Sequence, residues 1–141
     1  MTVIAVRDGI MAVDSQINAG ELKAGTIQKW RAVPECFGGG YIAAAGDAGI
    51  VGDGMDAFCR GGEIPPKEGM TFIHLRADGV VRTAENGAWF AYDAPFYAEG
   101  SGAKIAIGAM AAGASSTRAV EIACEYDSGC GGEVATLSVQ T

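Results

Sequence analysis

Basic residues are scarce. Lys and Arg together number 10 against 17 Asp and Glu, leaving a net charge of −7 and a pI near 4.5. A basic patch able to hold nucleic acid or an anionic membrane is not expected on such a chain. Histidine is scarcer still, and His74 stands alone. It sits inside the run TFIHLRA with no local companion, so it reads as a structural residue rather than the base of a Ser-His-Asp or Cys-His site. The four cysteines, Cys36, Cys59, Cys124 and Cys130, lack the CxxC-like pairs that a zinc site would want. The glycine-rich stretches GIVGDG and GSG match neither a Walker-type phosphate loop nor a strand-linked GxGxxG. No metal and no cofactor is therefore expected. No apolar run reaches ~18 residues, so no membrane-spanning helix is expected. The N-terminus lacks the basic and apolar regions of a signal peptide. The expectation is a cytoplasmic protein with reduced thiols.

Glycine and small apolar residues are what the chain has in quantity. There are 22 glycines, 49% of residues are hydrophobic, and mean hydropathy is +0.19. The glycines lie beside short apolar runs instead of clustering in a polar tract, which suggests tight turns and close backbone approach. At 141 residues, one domain spanning 1–141 is expected, with a single sizeable core.

Thr2–Val6 and Ile10–Val13 read as strands joined by Arg7-Asp8-Gly9. Asp-Gly between apolar runs is a strong hairpin signal. A two-residue turn pairs Arg7 with Ile10, Ala5 with Ala12 and Val3 with Asp14, which brings the Asp14 carboxylate beside the N-terminal tip. Thr26–Trp30 (TIQKW) and Tyr41–Ala45 are further strand candidates. Asp47 caps a helix running to Cys59, with Ile50, Val51, Met55 and Phe58 near one face. A Gly/Pro loop occupies Gly61–Gly69. Met70–Ala77 and Val80–Thr83 form a second hairpin on Asp78-Gly79. Short strands follow at Ala88–Ala91 and Phe96–Ala98. Helices are expected over Ala103–Ala112 and from a Ser115 or Ser116 cap to Tyr126, then a closing strand over Glu133–Val139. Strands and helices are segregated along the chain, which favours an α+β layered domain over a parallel βαβ sheet.

One base needs no histidine. A free α-amino group titrates at ~7.7–8.0, close to where a general base works best, and a Thr hydroxyl can be activated by its own terminal amine. Only Met1 precedes Thr2 in the sequence, so removal of Met1 would place nucleophile and base on one residue. Such a hydroxyl wants a nearby cation, and the cation wants a carboxylate; Lys29 and Asp14 can supply them. In an extended TIQKW, Ile27 and Lys29 share a face. If that face is inward, Lys29 requires an anionic partner; if it is outward, Lys29 is an edge lysine in solvent.

These residues resemble the proteasome β-subunit superfamily of N-terminal-nucleophile hydrolases, including the bacterial ATP-dependent ring peptidase. Thr2–Val6 with Met11–Ser15 resembles the opening hairpin and its acidic residue. Gln28-Lys29-Trp30 is similar to the lysine strand, and Ala44–Gly49 (AAGDAG) to the strand-to-helix turn. Gly100-Ser101-Gly102 is similar to the GSG before the third helix. Tyr126–Gly132 (YDSGCGG) is similar to a D-x-x-S-G-G loop. The resemblance implies a four-layer αββα sandwich with Thr2 as nucleophile. Lys29 and Asp14 would tune its hydroxyl, and the Gly46 N–H would receive the oxyanion. Ser101 and Asp127 would support the amine, with Cys130 standing where the family usually has Ser. Ile17, Ile27, Ala44 and Ala48 would line the first specificity pocket and favour an apolar residue before the scissile bond. It also implies peptide or unfolded-protein substrates, a homo-oligomeric ring and an ATP-dependent unfoldase partner. The family's second long helix has no counterpart between Cys59 and Met70. Two other functions stay open: a non-catalytic structural or assembly protein that retains Met1, and a hydrolase of small amides.

Overall fold

The computed structural model describes residues 1–139; residues 140 and 141, the end of the expected domain, lie outside them. The chain opens with the hairpin β1 (Val3–Arg7) and β2 (Ile10–Val13). Asp8 and Gly9 both take positive φ, 53° and 73°, as a tight Asp-Gly turn requires. Arg7 pairs with Ile10 and Ala5 with Ala12, the expected register. A second ribbon follows, β3 (Gln16–Ala19) and β4 (Leu22–Thr26), then β5 (Trp30–Ala32) and β6 (Tyr41–Ala45). Helix α1 (Ala48–Cys59) is capped by Asp47, whose carboxylate accepts from Gly49 N and Ile50 N. Next come β7 (Thr71–Leu75), β8 (Val81–Glu85), β9 (Ala88–Phe90) and β10 (Tyr97–Gly100). Helices α2 (Ala103–Ala111) and α3 (Ser116–Tyr126, capped by Ser115) precede the final strand β11 (Ala135–Ser138).

Two antiparallel sheets, β10-β1-β2-β11 and β5-β6-β7-β8-β9, pack face to face. Their inner faces meet through Ile4, Val6, Met11 and Val13 on one side and Ala43, Ile73 and Leu75 on the other. The outer face of the first sheet carries Val3, Ala5 and Ala12 against Ala106, Met110, Ala119, Val120 and Ala123 of α2 and α3. The outer face of the second carries Ile42, Ala44 and Phe72 against Val51 and Met55 of α1. This explains why Val3–Val6 is an unbroken apolar run: a strand covered on both faces has no solvent side to alternate with. The result is an αββα sandwich, the expected fold class, with one helix in its first helical layer. Residues 60–70 form a loop. Ile64 of that loop is buried in the α1 layer, and Pro65 closes against Gly54, where an added Cβ would lie 2.8 Å from both Pro65 and Phe72.

Three expectations need correction. Thr26–Trp30 is not one strand: Thr26 ends β4 and Trp30 begins β5. The two belong to different sheets, so the ladder breaks between them. The β3–β4 ribbon was not anticipated, and the strand expected at Phe96–Ala98 runs instead over Tyr97–Gly100. Thr2 lies just ahead of β1, not within it.

His74 is fully buried in β7. Its Nε2–H donates to Gly39 O at 2.7 Å, and its Nδ1 accepts from Arg82 Nη2 at 3.3 Å. Burial holds it below the ordinary imidazole value; Arg82 and Arg76 push the same way, and the Gly39 carbonyl and Asp78 oppose them. A folded value below the unfolded one means the contribution to stability is complete above about pH 6.5 and is lost as pH falls through and below that point. We expect the melting temperature to drop between about pH 7 and pH 5, with a shallower slope in His74→Gln. Equal slopes in the two proteins would exclude His74 as the source.

Candidate active site

The site is built on a buried ion pair. Asp14 follows β2 directly, where the hairpin register sets it opposite Val3. Its Oδ1 accepts from Val3 N at 3.1 Å, and its Oδ2 from Gly131 N at 3.1 Å, a donor brought in by the loop between α3 and β11. Lys29 Nζ lies 2.9 Å and 3.0 Å from the two carboxylate oxygens. Asp14 is 1% exposed and Lys29 8%. A pair this buried holds only if its remaining donors and acceptors are also met. The last direction of Nζ is filled by the carbonyl of Met1, at 2.9 Å.

Thr2 lies between the two residues whose backbone meets the pair, Met1 through its carbonyl and Val3 through its N–H, and is itself 4% exposed. Its nitrogen, here in the peptide bond with Met1, donates to Ser101 Oγ at 3.3 Å, and its carbonyl accepts from Gly102 N at 3.2 Å. That carbonyl presses on Gly100, which has φ 98° and where any Cβ would overlap Thr2 O. Only glycine fits there. Behind Thr2 the contacts continue: Cys130 Sγ lies 3.7 Å from Ser101 Oγ and donates to Asp127 Oδ2 at 3.5 Å, while Asp127 Oδ1 accepts from Gly129 N at 2.8 Å. Burial pushes the Cys130 thiol up to about 12, so it stays protonated near neutral pH. A thiol is a weaker bridge than a hydroxyl.

In front of Thr2 opens a cleft of about 350 Å³. Thr2, Lys29 and Gly46 border it, as do Ile17, Ile27, Ala44 and Ala48. Asp14, Ser101, Asp127 and Cys130 are not on its wall; they hold Thr2 and Lys29 from behind. Lys29 is thus inward although TIQKW is not a continuous strand, while Ile27, 40% exposed, faces the open side of the cleft. Gly46 has φ 143°, and a Cβ there would lie 3.0 Å from Gly69 O and 3.2 Å from Val51 Cγ1. Its N–H makes no backbone hydrogen bond among the described residues. Arg31, absent from the sequence-based site, also borders the cleft. Its signal was the same alternation that picked Lys29, two residues further on. Among the described residues no group of three or more His, Cys, Asp or Glu side chains is placed to hold a metal ion.

No family model matches the chain, and no curated protein sequence matches it. Solved structures do match in fold. BPH from Thiobacillus denitrificans in complex with epoxomicin superposes with a TM-score of 0.71 at 18% identity, covering 99% of each chain. A second structure of the same protein gives 0.67 at 19% identity over 96% of this chain and 95% of that one. Eukaryotic HslV from Trypanosoma brucei gives 0.71 at 16% identity over 99% of each. The chain has the proteasome-like N-terminal-nucleophile hydrolase fold. The fold accounts for where the pair sits: the end of β2, the segment before β5 and the loop before β11 meet at one edge of the sandwich.

Two outcomes follow from this geometry. Lys29→Met leaves the Asp14 carboxylate buried without its cation and should cost about 3–5 kcal/mol, read as a lowered urea midpoint. A loss under ~1 kcal/mol would mean that solvent reaches the pair. Native alkylation at about pH 8 should modify the exposed Cys36 and spare Cys130 until denaturant is added. Modified Cys130 in folded protein would show that the loop before β11 opens.

Proposed function

We propose that the chain is a threonine-type N-terminal-nucleophile peptidase, with Thr2 as the nucleophile once Met1 is removed. The observation that carries this reading is the buried Lys29–Asp14 pair beneath residues 1 and 2, with Lys29 Nζ already turned toward the Met1–Thr2 peptide unit. With Met1 gone, the Thr2 nitrogen becomes a primary amine beside Ser101 Oγ. In this scheme the Thr2 hydroxyl attacks the scissile carbonyl and its proton passes to that amine. The Lys29 ammonium stabilises the developing alkoxide, and the Asp14 carboxylate holds the ammonium in position. The Gly46 N–H receives the oxyanion, a role worth about 3–4 kcal/mol. The amine then protonates the leaving nitrogen, and water, deprotonated by the same amine, hydrolyses the ester on Thr2. Ser101, Cys130 and Asp127 keep the amine in place through both halves. The substrates are peptides or unfolded proteins; copies of the chain assemble into a cytoplasmic ring fed by an ATP-dependent unfoldase.

The Met1 contact supports a second reading. With Met1 retained, the Thr2 nitrogen is an amide and cannot act as a base, and the chain serves as a non-catalytic structural subunit.

Intact mass before and after treatment with a peptide epoxyketone such as epoxomicin separates the two, because that warhead bonds both the hydroxyl and a free amine. Loss of Met1 with one adduct is the expected result, and Thr2→Ala should form no adduct and cleave peptides at least ~10³-fold more slowly. Retained Met1 with no adduct favours the structural subunit. Undiminished cleavage by Thr2→Ala would overturn the peptidase mechanism.

A further inference from the structure

We propose that Arg31 makes the cleft selective for peptides with an acidic side chain immediately before the scissile bond. The inference rests on the peptidase reading above and names its substrate class. Arg31 lies in β5, opposite Ile42, and borders the cleft. Its guanidinium is fixed before any ligand arrives. Nε donates to Asp56 Oδ1 at 2.7 Å, and Nη1 donates to the carbonyls of Gln28 and Trp30 at 3.1 Å and 2.9 Å. Those bonds use three of the five N–H directions of the fork. The two on Nη2 make no hydrogen bond among the described residues. Nη2 faces Gly52, itself on the cleft wall, and would lie 3.7 Å from a Cβ there. With no side chain at position 52, the space beside those two donors stays open.

The other side-chain charges of the cleft are committed elsewhere. Lys29 keeps both carboxylate oxygens of Asp14, and the direction that Met1 vacates is the one the mechanism gives to the Thr2 hydroxyl. The Asp47 carboxylate is turned onto Gly49 N and Ile50 N of its own helix. Arg31 is therefore the side-chain cation with donors to spare, in a wall where Ile17, Ile27, Ala44, Ala48, Val51 and Met55 stand beside the neutral polar residues Gln16, Asn18 and Gln28. Asp56 meets the Nε edge of the guanidinium and leaves Nη2 to the cleft. A glutamate or aspartate side chain fits both features, with its methylenes along the apolar wall and its carboxylate on Nη2. A wholly apolar side chain would shield those donors from water and give them no acceptor. A lysine would bring like charge to the guanidinium. The apolar preference suggested by Ile17, Ile27, Ala44 and Ala48 is thereby narrowed to the stem of the side chain.

The test uses fluorogenic peptides that differ only in the residue before the cleaved bond, Glu, Asp, Leu or Lys, on protein whose Thr2 has been shown to take an epoxyketone. Expected is kcat/KM about tenfold higher for the better acidic peptide than for Leu, with Lys the poorest. Added salt should lower the acidic rate and leave the Leu rate unchanged. Arg31→Met, which keeps the stem and loses the charge, should reverse the order of Leu and Glu. Asp56→Asn, which leaves Arg31 uncompensated, should raise the acidic preference; it also serves if Arg31→Met does not fold. Wild-type preference for Leu, or an acidic preference that survives in folded Arg31→Met, would overturn the role of Arg31 and leave the peptidase standing. Absence of both adduct and cleavage would overturn the peptidase reading and this inference with it.

Discussion

Everything at the N-terminal edge depends on burying one carboxylate with one ammonium. Asp14 and Lys29 lose most of their water, and several kcal/mol per ion would be forfeited if any partner were missing. The carboxylate is met by Lys29 and by two backbone N–H groups, from Val3 and Gly131. Those donors come from three places in the chain: the first strand, the segment between two sheets, and the loop before the last strand. The pair therefore closes the fold as well as composing the site. Three segments distant in sequence must all be in position before the charge is satisfied, which gives the edge of the sandwich one admissible arrangement.

Holding a backbone segment over such a pair needs room, and the glycines give it. Gly100 admits the carbonyl of Thr2 at a distance no Cβ would allow, and the Gly46 N–H, on the cleft wall, has no hydrogen-bond partner among the described residues. Small residues do similar work in the layer behind: Ala5, Ala12, Ala106, Ala119 and Ala123 let α2 and α3 settle close on the first sheet. A chain of modest length thereby covers both faces of β1 and still leaves residue 2 on the wall of the cleft.

Where one residue type decides the local geometry, the sequence was readable. Asp8-Gly9 sets the turn, the turn sets the register, and the register puts Asp14 beside Val3. Asp47 caps α1 because its carboxylate reaches the free N–H groups of the first turn. The β3–β4 ribbon was not readable. Leu22–Thr26 is exposed along its whole length, so it carries no alternation of apolar and polar residues to betray a strand. Missing that ribbon hid the change of sheet at residues 27–29, and with it the position of β5. Lys29 was found because a buried lysine needs a carboxylate and one was at hand. Arg31 stood on the same alternation as Lys29, but nothing near it in the sequence supplied its partner: Asp56 comes from a helix 25 residues on.

Met1 is a light restraint on this arrangement. The residue is 59% exposed, with its side chain filling the space a Cβ on Gly129 would need; its main hold is the hydrogen bond from Lys29 to its carbonyl. Removing it would give up little buried apolar area. Lys29 would regain one free direction, and a titratable amine would appear next to Ser101. The Asp14 contacts would be untouched, since none of them involves Met1. The contacts around residue 2 thus stand in place around an amide nitrogen. A single peptide bond, between residues 1 and 2, separates a nitrogen that can only donate a hydrogen bond from one that can also take a proton.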